Sequence, residues 1–186
     1  MMRFLTILFF FTFTALSQAA EVAGVKLPDQ ITSDNGTSLT LNGAGVRKKF
    51  FFKIYVAGLY LVSASTDATA ILSSDQPNRM MMHFIYEEVE KEKLISGWND
   101  GFQANLTSAE LSALAPQIDK FNAMFDTMKK NDIIIFKYSP ETGTKVVIRD
   151  VNKGTIPGHA FNQALLKIWL GAAPVTNGLK QSLLGK

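Results

Sequence analysis

The stretch that decides the fold runs Asn42-Gly43-Ala44-Gly45-Val46-Arg47-Lys48-Lys49-Phe50-Phe51-Phe52-Lys53-Ile54-Tyr55-Val56-Ala57-Gly58-Leu59-Tyr60-Leu61. Its first four residues break the alternation that precedes them. From Phe50 to Val62 the chain is β-branched and aromatic, too apolar to face water on both sides of a sheet. Alternate side chains of a strand share a face. Arg47, Lys49, Phe51, Lys53 and Tyr55 fall on one face. Lys48, Phe50, Phe52, Ile54 and Val56 fall on the other, a core face from Phe50 onward. Two readings stay open for the first face. It is either simply wet, as one side of an antiparallel sheet commonly is, or it lines a cleft. In a cleft, Arg47 would offer a planar fork and Tyr55 a neutral donor to an anionic head group.

On the N-terminal side, Val22 to Ile31 holds a lone proline and reads as an edge strand. Ser33-Asp34-Asn35-Gly36 supplies a hairpin turn, because Asn-Gly accepts positive φ readily. Ser38 to Leu41 alternates as the returning strand. On the C-terminal side, Asp67 to Leu72 is a short helix and Arg79 to Tyr86 another strand. Helical spacing sets in at Glu87 and carries Leu94, Ile95, Trp98 and Phe102 as far as Asn105. Thr107-Ser108-Ala109-Glu110 is a capping box, and it opens a helical region predicted to break near Pro116 and resume to Lys130. Asp132 to Tyr138 and Thr144 to Asp150 form a hairpin, with Val151 to Ile156 extending the sheet. Helices over Gly158–Leu170 and Thr176–Leu184 close the chain. Strands first, helices in the middle, a hairpin, then helices: this is α+β, an antiparallel sheet with helices on one face.

Met1-Met2-Arg3, thirteen apolar or threonine residues from Phe4 to Leu16, and Ser17-Gln18-Ala19-Ala20 make up the three parts of a secretory signal. Cleavage after Ala19 or Ala20 is expected, with a periplasmic or secreted product. The apolar run is short of the roughly 20 residues a spanning helix needs, so no membrane span is expected after cleavage. Residues 21–186 then form one domain of ordinary size. The chain carries 19 basic and 16 acidic side chains, a net +3, which is too balanced for a nucleic-acid partner, and no basic run interleaved with aromatics points to one. Cysteine is absent. Thiol catalysis and cysteine-ligated metals are thereby excluded, and stability must come from the core rather than from disulfides.

Catalytic motifs are missing as well. There is no Gly-x-Ser-x-Gly elbow, no phosphate loop and no Gly-x-Gly-x-x-Gly. His83 and His159 lie in different elements, and no metal or cofactor is expected. Met80, Met81 and Met82 suit an irregular apolar pocket, and equally an ordinary core.

The residues Asn42-Gly-Ala-Gly-Val-Arg47 and Phe51-Phe-Lys-Ile-Tyr-Val-Ala-Gly-Leu-Tyr-Leu61 resemble the early signature of the chalcone isomerase-like family. Leu27-Pro28, Ile95-Ser-Gly-Trp-Asn-Asp-Gly-Phe102 and Gly154-Thr-Ile-Pro-Gly158 fit the same family. The resemblance covers essentially the whole chain after the signal. It implies an open-faced β-sandwich, an antiparallel sheet under a layer of helices with the ligand cleft between them. The family holds plant isomerases that close a flavanone ring, fatty-acid-binding members, and exported bacterial relatives.

Departures from the isomerases guide the functional expectation. Arg47 matches their arginine. Their catalytic threonine falls at Tyr55, a helical tyrosine and asparagine at Trp98 and Asn105, and a late threonine at Ile168. Indole carries one N–H and accepts nothing, so Trp98 does not replace a phenol. Each lost oxyanion donor costs about 3 kcal/mol of barrier lowering, and true chalcone isomerase activity is not expected. Arg47 with Tyr55 resembles instead the arginine–tyrosine pair that grips a fatty-acid carboxylate. The expected function is non-catalytic binding of a fatty acid or similar amphipathic carboxylate, with Arg47, Tyr55, Lys53, Trp98 and Asn105 at the site. Two alternatives stand beside it. One is an isomerase or lyase for another small substrate that uses Arg47, Lys53 and Tyr55. The other is a structural domain whose cleft Trp98 has plugged.

Overall fold

A computed structural model describes residues 19–186; the expected signal lies outside the described residues, apart from Ala19 and Ala20. The elements in order are β1 (Ala19–Val22), β2 (Val25–Pro28), β3 (Gln30–Thr32), β4 (Ser38–Lys49), β5 (Phe52–Leu61), α1 (Ala68–Ser73), β6 (Asn78–Phe84) and β7 (Glu88–Val89). Then come α2 (Lys91–Asn105), α3 (Ser108–Asn122), β8 (Met128–Lys129), β9 (Ile133–Ser139), β10 (Gly143–Ile148), β11 (Val151–Ile156), α4 (His159–Leu170) and α5 (Asn177–Leu183). Seven strands form one sheet in the order β11-β10-β9-β6-β5-β4-β3, antiparallel throughout. The connection from β6 to its neighbour β9 carries α2 and α3, so these helices lie over the sheet.

The deciding stretch is two strands, not one. The chain turns at Phe50 and Phe51, with Phe50 at φ 54°, and β5 returns along β4 with Arg47 opposite Tyr55. The expected core face at Phe50 and Phe52 is thereby corrected, since all three phenylalanines of the turn stand in water. Nor do the glycines interrupt β4. The strand runs through them, with its register shifting between Leu41 and Gly43.

Gly43 and Gly45 answer to packing. An added Cβ at Gly43 would lie 2.2 Å from the Ser182 carbonyl oxygen, and one at Gly45 would lie 2.6 Å from Ser182 Cβ. Helix α5 therefore rests on the bare backbone of β4. The same face of β5 carries Tyr55, Ala57, Leu59 and Leu61 into the main core. That core is capped by α4, a helix buried nearly all round because it sits between the sheet, α1 and α2.

Three further expectations are corrected. Val22 to Ile31 is not a single strand. Ala23 and Gly24, at φ 50° and 82°, turn β1 onto β2, and only β3 joins the large sheet. The small hairpin packs Val25 and Leu27 on Val56, so helices are not the only cover and the far face of β4–β5 is dry as well. Helix α3 continues through Pro116 and ends at Asn122. Pro116 removes the hydrogen bond to the Ser112 carbonyl, but both residues are exposed and water can take its place. Finally, Glu87 does not begin a helix. Val89 pairs with Met128 in a two-residue ladder, and α2 starts at Lys91.

Candidate functional site

Between β5, β6, α2 and α4 lies a small apolar cavity of about 50 Å³, lined among others by Tyr55, Met82, Phe84, Leu94, Trp98 and Ile168, with Arg47 at its edge. It borders a wider groove of about 610 Å³ walled by the β4–β5 turn on one side and by β7 and α2 on the other. The two share Arg47, Ile54, Val89, Lys93 and Gly97. Arg47 thus stands at the throat between them.

The turn at Phe50 is what makes this arrangement. On one continuous strand, Arg47 and Tyr55 would stand about 26 Å apart, eight residues at about 3.3 Å each. As cross-strand partners in the hairpin they touch: the Arg47 guanidinium carbon lies 5.7 Å from the centre of the Tyr55 ring, within cation–π range. The Tyr55 hydroxyl accepts a hydrogen bond from Trp169 Nε1 at 3.0 Å. A phenol has one proton to donate as well, and among the described residues nothing accepts it.

Burial pushes the Tyr55 phenol up, outweighing the opposite pulls of the Arg47 charge and the Trp169 donor. Tyr55 is therefore a neutral donor and not a phenolate base. Trp98 Nε1 is buried without a partner, and among the described residues Arg47 has no carboxylate within ion-pair distance. Arg47, Tyr55 and Trp98 line one apolar space, and among the described residues no carboxylate pairs with the guanidinium there. An unpartnered buried donor costs about 1–3 kcal/mol, so an incoming acceptor would be favoured.

The structure brings Arg47, Tyr55 and Trp98 together and leaves Lys53 and Asn105 elsewhere. Lys53 lies opposite Lys48 beside the turn, exposed, and lines neither the cavity nor the groove. The register shift beyond Arg47 takes it off the Tyr55 face. The polar set Arg47, Lys53 and Tyr55 of the isomerase alternative is therefore not assembled. Asn105 donates to the carbonyls of Gly101 and Ala173 at 3.0 and 2.8 Å and accepts from the Ala173 N–H at 3.0 Å. Its amide ties α2 to the segment after α4 with both N–H donors used, and it lines neither the cavity nor the groove. Sequence reasoning missed Trp169, the partner of Tyr55. Its place in an apolar helix gave no sign of a polar contact 114 residues away.

A model of the family described as chalcone isomerase-like matches residues 19–185. The chain belongs to the chalcone isomerase-like family. Its architecture, an antiparallel sheet under helices, is the one that family implies. Among solved structures, the crystal structure of a fatty-acid-binding protein from Arabidopsis thaliana superposes with a TM-score of 0.70 at 14% identity, over 90% of this chain and 96% of that one. At that identity the likeness establishes the shared fold. No curated protein matches the sequence significantly. In this member of the chalcone isomerase-like family Arg47 lines both the small cavity and the wider groove.

Proposed function

We propose that this protein binds an amphipathic carboxylate, a fatty acid being the simplest, and does not transform it. The observation that carries the reading is the Arg47 guanidinium, without a carboxylate partner among the described residues, beside the neutral Tyr55 hydroxyl at one apolar throat. A carboxylate is acceptor-only and takes two donors at once. The structural neighbour, a fatty-acid-binding protein, supports the same class of ligand. Burial keeps the proton on Tyr55, which favours binding over turnover through that group.

Size favours one placement of such a ligand. Pockets for small molecules usually hold about 300–1,000 Å³. The small cavity is far below that range, and the groove falls within it. The head group would sit at Arg47, with the tail along Phe52, Ile54, Tyr86 and Val89 in the groove. The apolar segment at residues 4–16 and the small residues after it support export before this work is done.

Native mass spectrometry of gently purified protein tests the proposal. Wild type should carry a fatty acid, and Arg47→Ala should lose it while keeping its circular dichroism spectrum and its unfolding midpoint. Empty wild-type protein with no fatty-acid affinity at micromolar levels defeats it.

A second reading is favoured by the aromatic packing. The Trp98 ring meets Phe121, Phe125, Phe136 and Trp169 at centroid distances of 5.5 to 5.8 Å, and the cavity it lines with Arg47 is only about 50 Å³. On that reading the cleft is closed and the domain serves as a scaffold. Its signature is a protein that takes up no acid in wild-type form.

A further inference from the structure

Phe50, Phe51 and Phe52 are 85%, 99% and 55% exposed. The only other large apolar side chains left exposed among the described residues, Val62 and Val151, stand alone. These three stand together at the tip of the β4–β5 hairpin, within the run Arg47-Lys48-Lys49-Phe50-Phe51-Phe52-Lys53, which has four cations and no acid. The fold does not ask for them. Phe50 takes φ 54°, a conformation that glycine or asparagine adopts more easily. Only Phe52 has an aromatic neighbour in the fold, the Tyr86 ring at 5.5 Å. A tip built for folding alone would be Asn-Gly, as at Asn35-Gly36.

We propose that this tip docks on an anionic lipid bilayer, with the phenyl rings at the acyl boundary and Lys48, Lys49 and Lys53 on the phosphates. Charge and shape choose this partner over a protein. The tip is convex, so it needs a medium it can sink into rather than a flat face. Its rings have no polar handle, and the lysines beside them can lay their methylene stems along the apolar zone while the ammonium groups stay in the head-group layer. A bilayer offers both layers in that order, with an interfacial depth of about 5–10 Å. Glu88, Glu90 and Glu92 line the neighbouring groove from β7 and α2. An anionic surface repels them, so the hairpin tip leads and the groove stays beside the membrane. Among the described residues no helix is long and apolar enough to cross a membrane, and the attachment proposed is peripheral. It does not depend on the cargo reading, because an empty protein would dock in the same way.

Vesicle flotation of residues 19–186, the span that holds both hydrophobic clusters, tests it. Vesicles of phosphatidylglycerol with phosphatidylethanolamine should carry wild type upward, and vesicles of phosphatidylcholine should not. Phe51→Asp should lower the partition coefficient at least about tenfold, the scale of one buried large apolar side chain, with the unfolding midpoint unchanged. Lys48→Gln, Lys49→Gln and Lys53→Gln should each lower it about fivefold at low salt. Phe51→Trp should keep binding and shift its fluorescence to the blue on anionic vesicles, since Trp98 and Trp169 are already buried. Failure of wild type to float with anionic vesicles overturns the proposal, as does equal flotation with both lipids or a Phe51→Asp variant that floats like wild type. A concentration-dependent dimer that Phe51→Asp dissolves, with no flotation, would reassign the tip to contact between copies. Loss of cargo in Arg47→Ala with flotation retained would separate this surface from the acid-binding throat.

Discussion

Two groups of aromatic rings meet opposite fates in this protein. Trp98, Phe121, Phe136 and Trp169 come from four different elements, Phe125 from the connection after α3, and all converge in the interior, each nearly or fully buried. Phe50, Phe51 and Phe52 are consecutive and stand outside. Composition does not separate the groups; spacing does. A helix or strand can direct a ring inward only at every third, fourth or second residue. Three in a row at a turn have no common inward direction. Burial follows from periodicity within an element, and hydrophobic character alone assures nothing.

Truncating one ring from each group is the sharpest way to break that contrast. Trp98→Ala should destabilise the fold by about 3–5 kcal/mol, the range for large aromatic truncations in cores, read as a lower urea midpoint. Phe51→Ala should shift the same midpoint by no more than about 0.5 kcal/mol. Equal effects would mean that the tip packs on something within the chain, and both the contrast and the membrane proposal would fail together. If the truncated Trp98 variant folds and takes up acids that wild type refuses, the closed-cleft reading gains its best support.

The polar contact inside the interior group comes next. Tyr55→Phe removes the acceptor of the Trp169 N–H and leaves that donor buried and unpaired, at a cost of about 1–3 kcal/mol in urea unfolding. Adding Trp169→Phe should recover part of the loss, because removing both partners is far cheaper than stranding one. A double variant no better than the single would show that the hydrogen bond contributes little.

How much of this was legible in the sequence depends on whether the signal was local. Capping at Thr107 and Glu110, the turn at Asn35-Gly36 and the β9–β10 hairpin rest on neighbours in the chain, and all three are present. Arg47 and Tyr55 do share a face, but for a reason the reading did not contain: a turn between them preserved their parity while folding them together. The turn was hidden because its residues are phenylalanine, the last type expected at a tip in water. Gly43 and Gly45 look like punctuation until α5, more than a hundred residues later, lies on them. Asn105 and Trp169 reach partners distant in sequence, and nothing beside them in the chain announces either contact. The break expected at Pro116 does not occur, because solvent on that side of α3 can satisfy the carbonyl the proline leaves unpaired.

The smallest expected effect belongs to a charged contact on the surface, and it calibrates the scale for the rest. Asp34, in the turn between β3 and β4, meets Lys137 of β9 at 2.9 Å and Lys145 of β10. Hydrogen bonds from Lys145 and Lys137 pull its carboxyl from the ordinary 3.8 to about 2. Because the folded value lies below the unfolded one, the stabilisation is fully present above pH about 4, fades as pH falls toward about 2, and is absent below that. Asp34 is nearly half exposed, so solvent and salt hold the contribution to about 0–1 kcal/mol at neutral pH. Asp34→Asn should therefore cost that much at pH 7 in low salt, less in high salt, and nothing at pH 2, followed by urea unfolding at each pH. A cost that persists undiminished at pH 2 would mean that the side chain acts through its shape in the turn rather than through its charge. The surface would then contribute by packing too, and the division between a packed interior and a merely wetted exterior would need redrawing at this corner of the sheet.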